Sequence, residues 1–310
     1  MPTDVNTSIH RYLKALYRDT NTDLETLASR WLDRTVGAGA PRSLAHLGNI
    51  AQYDISTIGT LVFWLACDSS ALWTDVLATT RVSASGDAVK AWTELVTGFL
   101  VTEPTNPPTF TPDVLHGFPA VRFDGTNDLL AFSVNTRAGL FRNVAGATGI
   151  VVVTSTFSGT TVQSAYGVST NSSGNSRFVH ELNRTSNGSV GAQFRIADAD
   201  SVSTQASAGS QIVSGSPHVS TIVMDASTAT FQTWANGTSA QGPTDLSASL
   251  TAGNYSDTNP AKGNLGRAVG TANFLNGDIF EILLFNSALS TATRQLVERY
   301  LGTKYGITVA

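Results

Sequence analysis

Residues 276–306 constrain the fold more than any other stretch of this chain, and they read NGDIFEILLFNSALSTATRQLVERYLGTKYG. Between Ile279 and Phe285, apolar residues occupy both odd and even positions. That pattern is typical of a strand that is covered on both faces. Glu281 is the one charged residue in the run, so it must reach a partner, a sheet edge or water. The sequence therefore predicts a buried strand close to the end of the chain.

A short amphipathic helix is predicted directly after this strand. Ser290 is a suitable N-cap because its hydroxyl can accept a hydrogen bond from a free N–H of the first turn. Gly302 or Gly306 can end the helix. Its apolar face is marked by Leu289, Leu296, Val297, Tyr300 and Leu301. A buried strand followed by one docked helix indicates a sandwich that is closed by its last elements.

Many short strands separated by turns are predicted upstream of this segment. They cover residues 61–65, 120–123, 129–132, 150–157, 178–182, 190–196, 219–224 and 229–234. Residues 102–112 are rich in proline and are predicted to be a loop. No helices alternate with these strands at the spacing of a parallel βαβ fold. The expected fold is mainly β, an antiparallel jelly-roll β-sandwich with an N-terminal α-helical hairpin and one C-terminal helix.

The N-terminal residues 7–36 follow a different pattern from the rest of the chain. Two stripes have helical spacing, and a capping box, Thr22 to Glu25, opens the second of them. Two such helices bury little apolar surface alone, so they must pack on the sandwich, on sister subunits or on another protein. The residues expected to anchor them are Tyr12, Leu13, Leu16, Leu24, Leu27 and Trp31.

The change of pattern divides the chain into three parts. Residues 1–40 are the expected helical anchor, residues 41–58 a connector, and residues 59–310 the jelly-roll domain. The glycine-rich stretch 36–41 between the first two parts is typical of a hinge.

Two stretches of the sandwich resemble concanavalin A-like lectin/glucanase domains of the LamG type. In the closing segment the matching residues are Gly277, Ile279, Glu281, Ile282, Phe285, Leu289, Ser290, Tyr300, Leu301, Lys304, Tyr305 and Gly306. In residues 116–132 they are Gly117, Pro119, Val121, Arg122, Phe123, Asp124, Gly125 and Asp128. A weaker match lies near residues 61–75, and the resemblance covers about residues 59–310.

This resemblance implies the fold and suggests a role. Domains of this kind that lack the glucanase motif often belong to phage virion proteins and surface adhesins, an association of family and not of physics. The first hypothesis is a non-enzymatic bacteriophage virion structural protein, a fibre, spike or decoration protein that displays a lectin-like domain toward host-surface glycans. Residues 7–36 would then bind other virion proteins, and a homo-oligomer is expected. The alternatives are a bacterial lectin-like adhesion module and a polysaccharide-processing enzyme.

Composition narrows the choice of partners and location. Only 14% of residues are charged, and the net charge of −4 comes without any block of Lys and Arg, which argues against nucleic-acid binding. Cys67 is the only cysteine, so no intrachain disulfide can form. The N-terminus has no apolar signal core, and no apolar run approaches about 18 residues, so membrane insertion is not expected. The expected location is the virion, after synthesis in the host cytoplasm.

No catalytic residues are predicted. A glucanase of this superfamily would carry E-x-D-x-x-E or E-x-D-x-E, with two carboxyl groups about 5–5.5 Å apart, and this sequence has neither run. Asp278 and Glu281 are three residues apart, so in a regular strand they should point to opposite faces. The five histidines are scattered, and Gly237–Gln241 lacks the second glycine of a nucleophile elbow.

One turn is a candidate calcium site. Asp124, Asn127 and Asp128 offer hard oxygen ligands within a few residues of each other, the chemistry that suits Ca²⁺. The alternative is that these side chains simply bond the backbone of their own turn. Asp198 and Asp200 form a weaker second pair. No other cofactor is expected.

Aromatic side chains near loops are the candidate carbohydrate-binding platforms. They are Trp73, Trp92, Tyr166 and Tyr255, whereas Trp64 and Trp234 lie inside predicted strands and are expected in the core. An exposed aromatic residue could instead face a neighbouring subunit.

Overall fold

The computed structural model describes residues 55–310 except for 134–139, 142, 170–175, 185–187, 198–199, 201–202, 208–210, 240–241, 256–261 and 269–272. The predicted helical hairpin, its anchoring residues and nearly all of the connector lie outside the described residues. Asp198 of the weaker acidic pair lies outside them as well. No helix in the described part is long and apolar enough to cross a membrane.

Two antiparallel sheets make up the described part of the chain. The first sheet contains β1 (Leu61–Ala66), β5 (Thr109–Leu115), β6 (Phe118–Asp124), β8 (Gly146–Ser155), β13 (Pro217–Asp225), β14 (Thr230–Ala235), β15 (Thr244–Asp245) and β17 (Asn276–Phe285). The second contains β2 (Leu72–Trp73), β3 (Ala91–Thr93), β4 (Leu100–Thr102), β7 (Leu130–Ser133), β9 (Gln163–Ser169), β10 (Ser176–Leu182), β11 (Val190–Phe194), β12 (Ser203–Ala206) and β16 (Lys262–Leu265). A 3₁₀ turn, Ile55–Thr57, precedes them, and helix α1 (Thr291–Tyr305) follows them.

Strand β17 lies at the centre of the first sheet, whose order is β15-β14-β13-β8-β17-β6-β5. One edge of β17 pairs with β8 along its length. The other edge pairs first with β6 and then with β1. The two stretches that resemble LamG-type domains are thus neighbours in space, because Asp278 stands opposite Arg122. The second sheet has the order β12-β11-β10-β9-β16-β7-β4-β3-β2.

Apolar side chains cover both faces of the first sheet. The face toward the second sheet contributes residues such as Val151 and Ile279 to the main core. The opposite face, here called the outer face, packs Val152 and Phe280 against Leu301 of α1. This arrangement explains why residues 279–285 are apolar at every position but one, and it confirms the predicted strand that is covered on both sides.

The C-terminal helix is confirmed together with its caps. Thr293 N donates to the Ser290 hydroxyl at 3.2 Å, and Gly306 ends the helix in the left-handed conformation with φ of 67°. A buried ion pair joins Arg294 to Glu298 within the helix. The Arg294 guanidinium also lies over Trp234, 4.1 Å from the ring centre. Trp234 is only partly buried and contacts the helix from its strand.

The predicted fold class is confirmed for the described residues, with one wrong element. The predicted strands at 178–182 and 190–196 form the antiparallel pair β10–β11, and those at 219–224 and 229–234 form the antiparallel pair β13–β14. The proline-rich stretch 102–112 is not a loop throughout, because β5 begins at Thr109. β5 is an edge strand of its sheet, and Pro112 is exposed there, so the missing N–H of proline leaves no ladder bond unmade.

A β-bulge in β17 overturns the expectation that Asp278 and Glu281 point to opposite faces. Ile279 pairs with Val153, but Glu281 pairs with the next residue, Val152, so Phe280 is the extra residue. The bulge shifts the side-chain alternation by one position. Both carboxylates therefore lie on the outer face, Asp278 against Arg122 and Glu281 under helix α1.

Candidate ligand-binding groove

A groove with a volume of about 310 Å³ opens on the outer face of the first sheet. Strands β5, β6, β8 and β17 and the segment that enters β13 form its walls. Phe280 lines it too and also packs near Tyr305 of α1, with ring centres 5.8 Å apart. The groove thus begins where the helix stops covering the sheet.

A paired arginine and aspartate stand on its floor. Arg122 Nε donates to Asp278 Oδ1 at 2.7 Å, and Arg122 Nη2 donates to Oδ2 at 3.0 Å. The arginine side chain is 50% exposed and the aspartate side chain only 9%. Hydrogen bonding to the carboxylate raises the pKa of Arg122. The aspartate is therefore the buried support, and the guanidinium is the part that a ligand can reach.

Strand β8 holds Asp278 from below. Thr154 Oγ1 donates to Asp278 Oδ2 at 3.2 Å and accepts from the Asp278 backbone N at 3.0 Å. The adjacent Gly277 allows this close approach, since a Cβ there would lie 2.0 Å from Thr154 O. Gly277 and Thr154 thus fix the position of the Asp278 carboxylate, and the carboxylate in turn fixes the orientation of the Arg122 guanidinium.

The remaining hydrogen-bonding capacity of the floor consists mostly of donors. Arg122 has five N–H groups, and in the described part of the chain two of them bond to Asp278. Asp278 already accepts three side-chain hydrogen bonds, counting the one from Thr154. Val114, Leu115 and the ring of Pro217 add apolar surface on the walls. The arrangement can present donors and an apolar surface to one small molecule.

Glu281, on the same face of the same strand, has a different environment. Its Oε1 accepts from Trp64 Nε1 at 2.7 Å. Its Oε2 accepts from Lys304 Nζ at 2.6 Å and from the Tyr305 hydroxyl at 2.7 Å. Glu281 is fully buried. Glu281, the charged residue for which the sequence predicts a partner, thus holds helix α1 on the sheet.

The candidate calcium residues share one turn, but its carboxylates bond to its own backbone. Asp124 Oδ1 accepts from the N–H of Thr126 at 2.8 Å and of Asn127 at 3.2 Å. Asp128 Oδ2 accepts from the Asp124 N–H at 3.0 Å. Burial and the charge of Asp124 raise the pKa of Asp128 to about 6. These bonds match the alternative interpretation of the turn.

The distribution of metal-binding side chains gives the calcium prediction no further support. No group of three or more His, Cys, Asp or Glu side chains that could hold a metal occurs among the described residues. Calcium binding at this turn stays a prediction.

Three of the four predicted aromatic platforms are wrong, because they are buried in the core. Trp92 and Tyr255 are 0% exposed and Tyr166 is 1% exposed. Trp92 Nε1 donates to Ala66 O at 3.2 Å. Tyr166 enters the space that Gly149 leaves, where an added Cβ would lie 1.6 Å from its hydroxyl. Each ring fills the space between the sheets and offers no face to a ligand.

Trp73 is the one platform candidate with some exposure. It lies in the edge strand of the second sheet. Its Nε1 donates to Thr93 Oγ1 at 2.8 Å, and the Arg81 guanidinium lies 3.8 Å from its ring centre. One face of the ring is therefore already occupied, and its role as a platform stays a prediction. Trp64, expected in the core, is half-buried and bonds Glu281.

The sequence patterns do not identify the residues of the groove as a site. Arg122 belongs to one of the stretches with a family resemblance, and Asp278 is one half of a carboxylate pair with the wrong spacing for catalysis. The signal available in the sequence is the presence of two charged residues inside strand-like segments, at 122 and 278. Such residues need partners, and opposite charges on neighbouring strands supply them.

The described residues define an antiparallel β-sandwich that is closed by a C-terminal helix, with a polar groove beside that helix. No protein-family model matches the chain. No curated protein matches it either.

Solved structures that are similar to part of this chain include a CBM40 domain, a toxin domain and a sialidase. The CBM40 domain of Ruminococcus gnavus IT-sialidase, bound to α2,3 sialyllactose, is 17% identical over 56% of this chain and 93% of that chain, with a TM-score of 0.44. The receptor-binding domain of a botulinum neurotoxin C/D mosaic serotype is 8% identical over 77% of this chain and 51% of that chain, with a TM-score of 0.48. Trypanosoma rangeli sialidase is 11% identical over 80% of this chain and 33% of that chain, with a TM-score of 0.47. At these identities and TM-scores, the likeness does not extend to ligand or activity.

Proposed function

We propose that this protein is a non-enzymatic carbohydrate-binding β-sandwich and that the groove at Arg122 and Asp278 is its glycan site. The observation that carries the proposal is a half-exposed guanidinium, oriented by a buried carboxylate, beside apolar walls. Sugars present hydroxyl groups around the ring and C–H groups on its faces, so they need polar and apolar surface side by side. The volume of about 310 Å³ lies at the lower end of the range for small-molecule sites, roughly 300–1,000 Å³.

The surroundings of the two carboxylates support binding without hydrolysis. A retaining glycosidase needs two carboxyl groups about 5–5.5 Å apart, both able to reach the glycosidic bond. Asp278 is occupied by Arg122 and Thr154. Glu281 is fully buried beneath Lys304 and Tyr305, so it has no route to a substrate. Neither side chain is placed to act as acid or nucleophile.

A glycan screen with two variants tests the site. The protein is applied to an array of bacterial and host glycans, and the affinity for the best glycan is measured by calorimetry for the wild type, Arg122→Ala and Trp73→Ala. We expect Arg122→Ala to weaken binding at least about tenfold, the loss of roughly one good hydrogen-bonded contact. Trp73→Ala should bind as the wild type does.

If Trp73→Ala weakens binding and Arg122→Ala does not, the groove is rejected as the glycan site, and the edge of the second sheet at Trp73 is favoured instead. Failure of the wild type to bind any glycan on the array would reject carbohydrate binding altogether. Equal melting temperatures of the three proteins serve as the control for folding.

The wider role that we propose is display on a bacteriophage particle, with residues 7–36 as the anchor to other virion proteins and a homo-oligomeric head. Its support is the resemblance of residues 59–310 to domains found in virion proteins and the two helical stripes in residues 7–36. A displayed binding domain needs an attachment that is separate from its ligand site.

Immunogold labelling of intact particles from the source culture, with an antibody to residues 59–310, tests this role. Label on tails or tail fibres supports host attachment, and label over the capsid supports decoration. Absence of label from every particle would reject the virion role and favour a bacterial adhesion module. If particles are labelled, a truncated chain that lacks residues 1–40 is tested next. It should still bind glycan but should not be incorporated into particles.

A further inference from the structure

The ion pair on the floor of the groove leaves more donors than acceptors for a ligand. Within the described part of the chain, three N–H groups of Arg122 remain after its two bonds to Asp278. Asp278 accepts from Arg122 twice and from Thr154 once, which leaves it little capacity as an acceptor. A ligand that fits this floor must therefore bring a good acceptor oxygen.

The charges around the groove argue against a carboxylate as that acceptor. Among the described residues that line the groove, Arg122 carries the one positive charge, which its ion pair with Asp278 offsets. Asp124 stands opposite Asn276 in the same β6–β17 pair, two positions along from Arg122 and Asp278, and Asp113 precedes Val114 on the wall. Both aspartates are exposed. An anionic sugar would meet a local excess of negative charge, so an uncharged acceptor such as an amide carbonyl is favoured.

The walls of the groove add a second requirement. Val114, Leu115 and Pro217 line it and are only partly buried. The unliganded groove thus leaves apolar surface exposed to water directly beside the guanidinium. A ligand gains most here if it places a small apolar group next to its acceptor oxygen.

We propose that the groove selects an uncharged sugar that carries an acetamido group, with the carbonyl oxygen accepting from Arg122 and the methyl group packing on Val114, Leu115 and Pro217. The inference rests on the groove being the glycan site and adds the class of sugar that it takes. The acetamido group is a common sugar substituent that combines a neutral acceptor with a methyl group, and its amide carbonyl is a stronger acceptor than the carbonyl of an ester.

Calorimetry with three trisaccharides tests the selection. The probes are the β1,4-linked N-acetylglucosamine trimer, the β1,4-linked glucose trimer, which has a hydroxyl in place of each acetamido group, and trigalacturonate. We expect the acetamido trimer to bind at least about tenfold more tightly than the glucose trimer, the usual effect of one well-packed methyl group or more. Trigalacturonate should bind more weakly than either neutral sugar.

A matched pair of valine variants separates the methyl contact from general effects. Val114→Thr keeps the shape of the side chain but makes the wall polar, and it should reduce the acetamido preference several-fold. Val213→Thr makes the same change at a valine that is 68% exposed and does not line the groove. It should leave the preference unchanged.

Failure of this inference is distinguishable from failure of the proposed function. Equal affinity for the acetamido and glucose trimers, or tighter binding of trigalacturonate, overturns the acetamido selection while Arg122-dependent glycan binding stands. Arg122-dependent binding on the array to sugars without an acetamido group, with none to the three trimers, likewise overturns the acetamido selection alone. Absence of any Arg122-dependent binding overturns both.

Discussion

The two ends of strand β17 place a carboxylate on the same face of the sheet, and the two carboxylates have different surroundings. Asp278 pairs with an arginine that is half exposed, at the floor of an open groove. Glu281 is fully buried and accepts from a lysine, a tyrosine and a tryptophan. The difference follows from helix α1, which covers one end of the strand and leaves the other open. The same sheet face thus provides both an attachment for the helix and a candidate site.

The largest effect is expected from Glu281→Ala. This change leaves the Lys304 ammonium buried without its carboxylate, and breaking a buried pair in this way costs about 3–5 kcal/mol. The free energy of unfolding, measured by urea denaturation, should fall by that amount. The double variant Glu281→Ala/Lys304→Met should recover part of the loss, because it removes the stranded charge. If Glu281→Ala lowers the free energy of unfolding by less than about 1 kcal/mol, the ion pair under helix α1 contributes no more to stability than an exposed ion pair does.

Acid should reveal a third kind of buried polar group, which lies between strand β10 of the second sheet and strand β13 of the first. Burial lowers the pKa of His180 to about 3 and that of His218 to about 4. His180 Nε2 contacts Ser220 Oγ at 2.7 Å. Within the described part of the chain, His180 Nδ1 and His218 Nε2 lack hydrogen-bond partners. Both imidazoles are therefore neutral in the folded protein.

Stability should fall with acid because unfolded histidines have a pKa near 6.5. Below that pH the unfolded state binds more protons than the folded state, so each histidine contributes a loss of up to about 1.4 kcal/mol per pH unit. The loss continues until the folded-state groups protonate, near pH 4 and pH 3. Urea denaturation at pH 7, 6 and 5 measures the slope. The His180→Gln/His218→Gln variant should have a shallower slope, and an unchanged slope would contradict this account.

Asp278→Asn should separate stability from binding at the open end. Half of the Arg122 side chain is exposed although Asp278 is buried, and Asn keeps one oxygen acceptor, so the free energy of unfolding should fall by less than the loss of about 3–5 kcal/mol for a fully buried pair. Glycan affinity should fall at least about tenfold, since the guanidinium loses its bidentate support. Arg122→Lys keeps the positive charge without the planar fork and should also bind weakly. A stability loss as large as that of Glu281→Ala would make the pair a structural element and not a ligand site.

The smallest effect is expected at the turn that leads away from β6. In EDTA, Asp128→Asn should raise the melting temperature by about 1–2 °C, because it removes a half-buried carboxylate next to Asp124. If calcium binds there, added Ca²⁺ should raise the melting temperature of the wild type and not that of the variant. A wild-type melting temperature that ignores Ca²⁺ would leave backbone bonding as the role of these carboxylates.

The sequence predicts the elements whose signals are local. Ser290 and Gly306 mark both ends of the helix because capping depends on a few adjacent residues. The double-sided apolar run identifies β17 because burial on both faces leaves no polar alternation. Glu281 is expected to need a partner for the same reason. The predictions for residues 1–54, including the helical anchor, lie outside what the structure describes.

The predictions that fail depend on contacts between distant segments. The bulge at Phe280 changes the direction of Glu281, and it arises from pairing with β8, which the residues around 280 do not specify. Tyr166 and Val168 share the inner face of β9, a spacing that indicates burial, yet the position of Tyr166 near a loop favoured a role in binding. The groove collects residues from 114 to 280, so no single stretch of sequence contains its pattern.

The position of β17 has a consequence for how the chain is made. Trp64 and Glu281, joined by a hydrogen bond across β1 and β17, are 217 residues apart in sequence. During synthesis, β1, β6 and β8 leave the ribosome long before the strand that pairs with all three. At roughly 5–20 residues per second, the nascent chain carries these unpaired, apolar edges for several seconds or more. High contact order of this kind slows folding and exposes the chain to aggregation, so yield in a foreign host should depend on translation speed and on chaperones that shield strand edges.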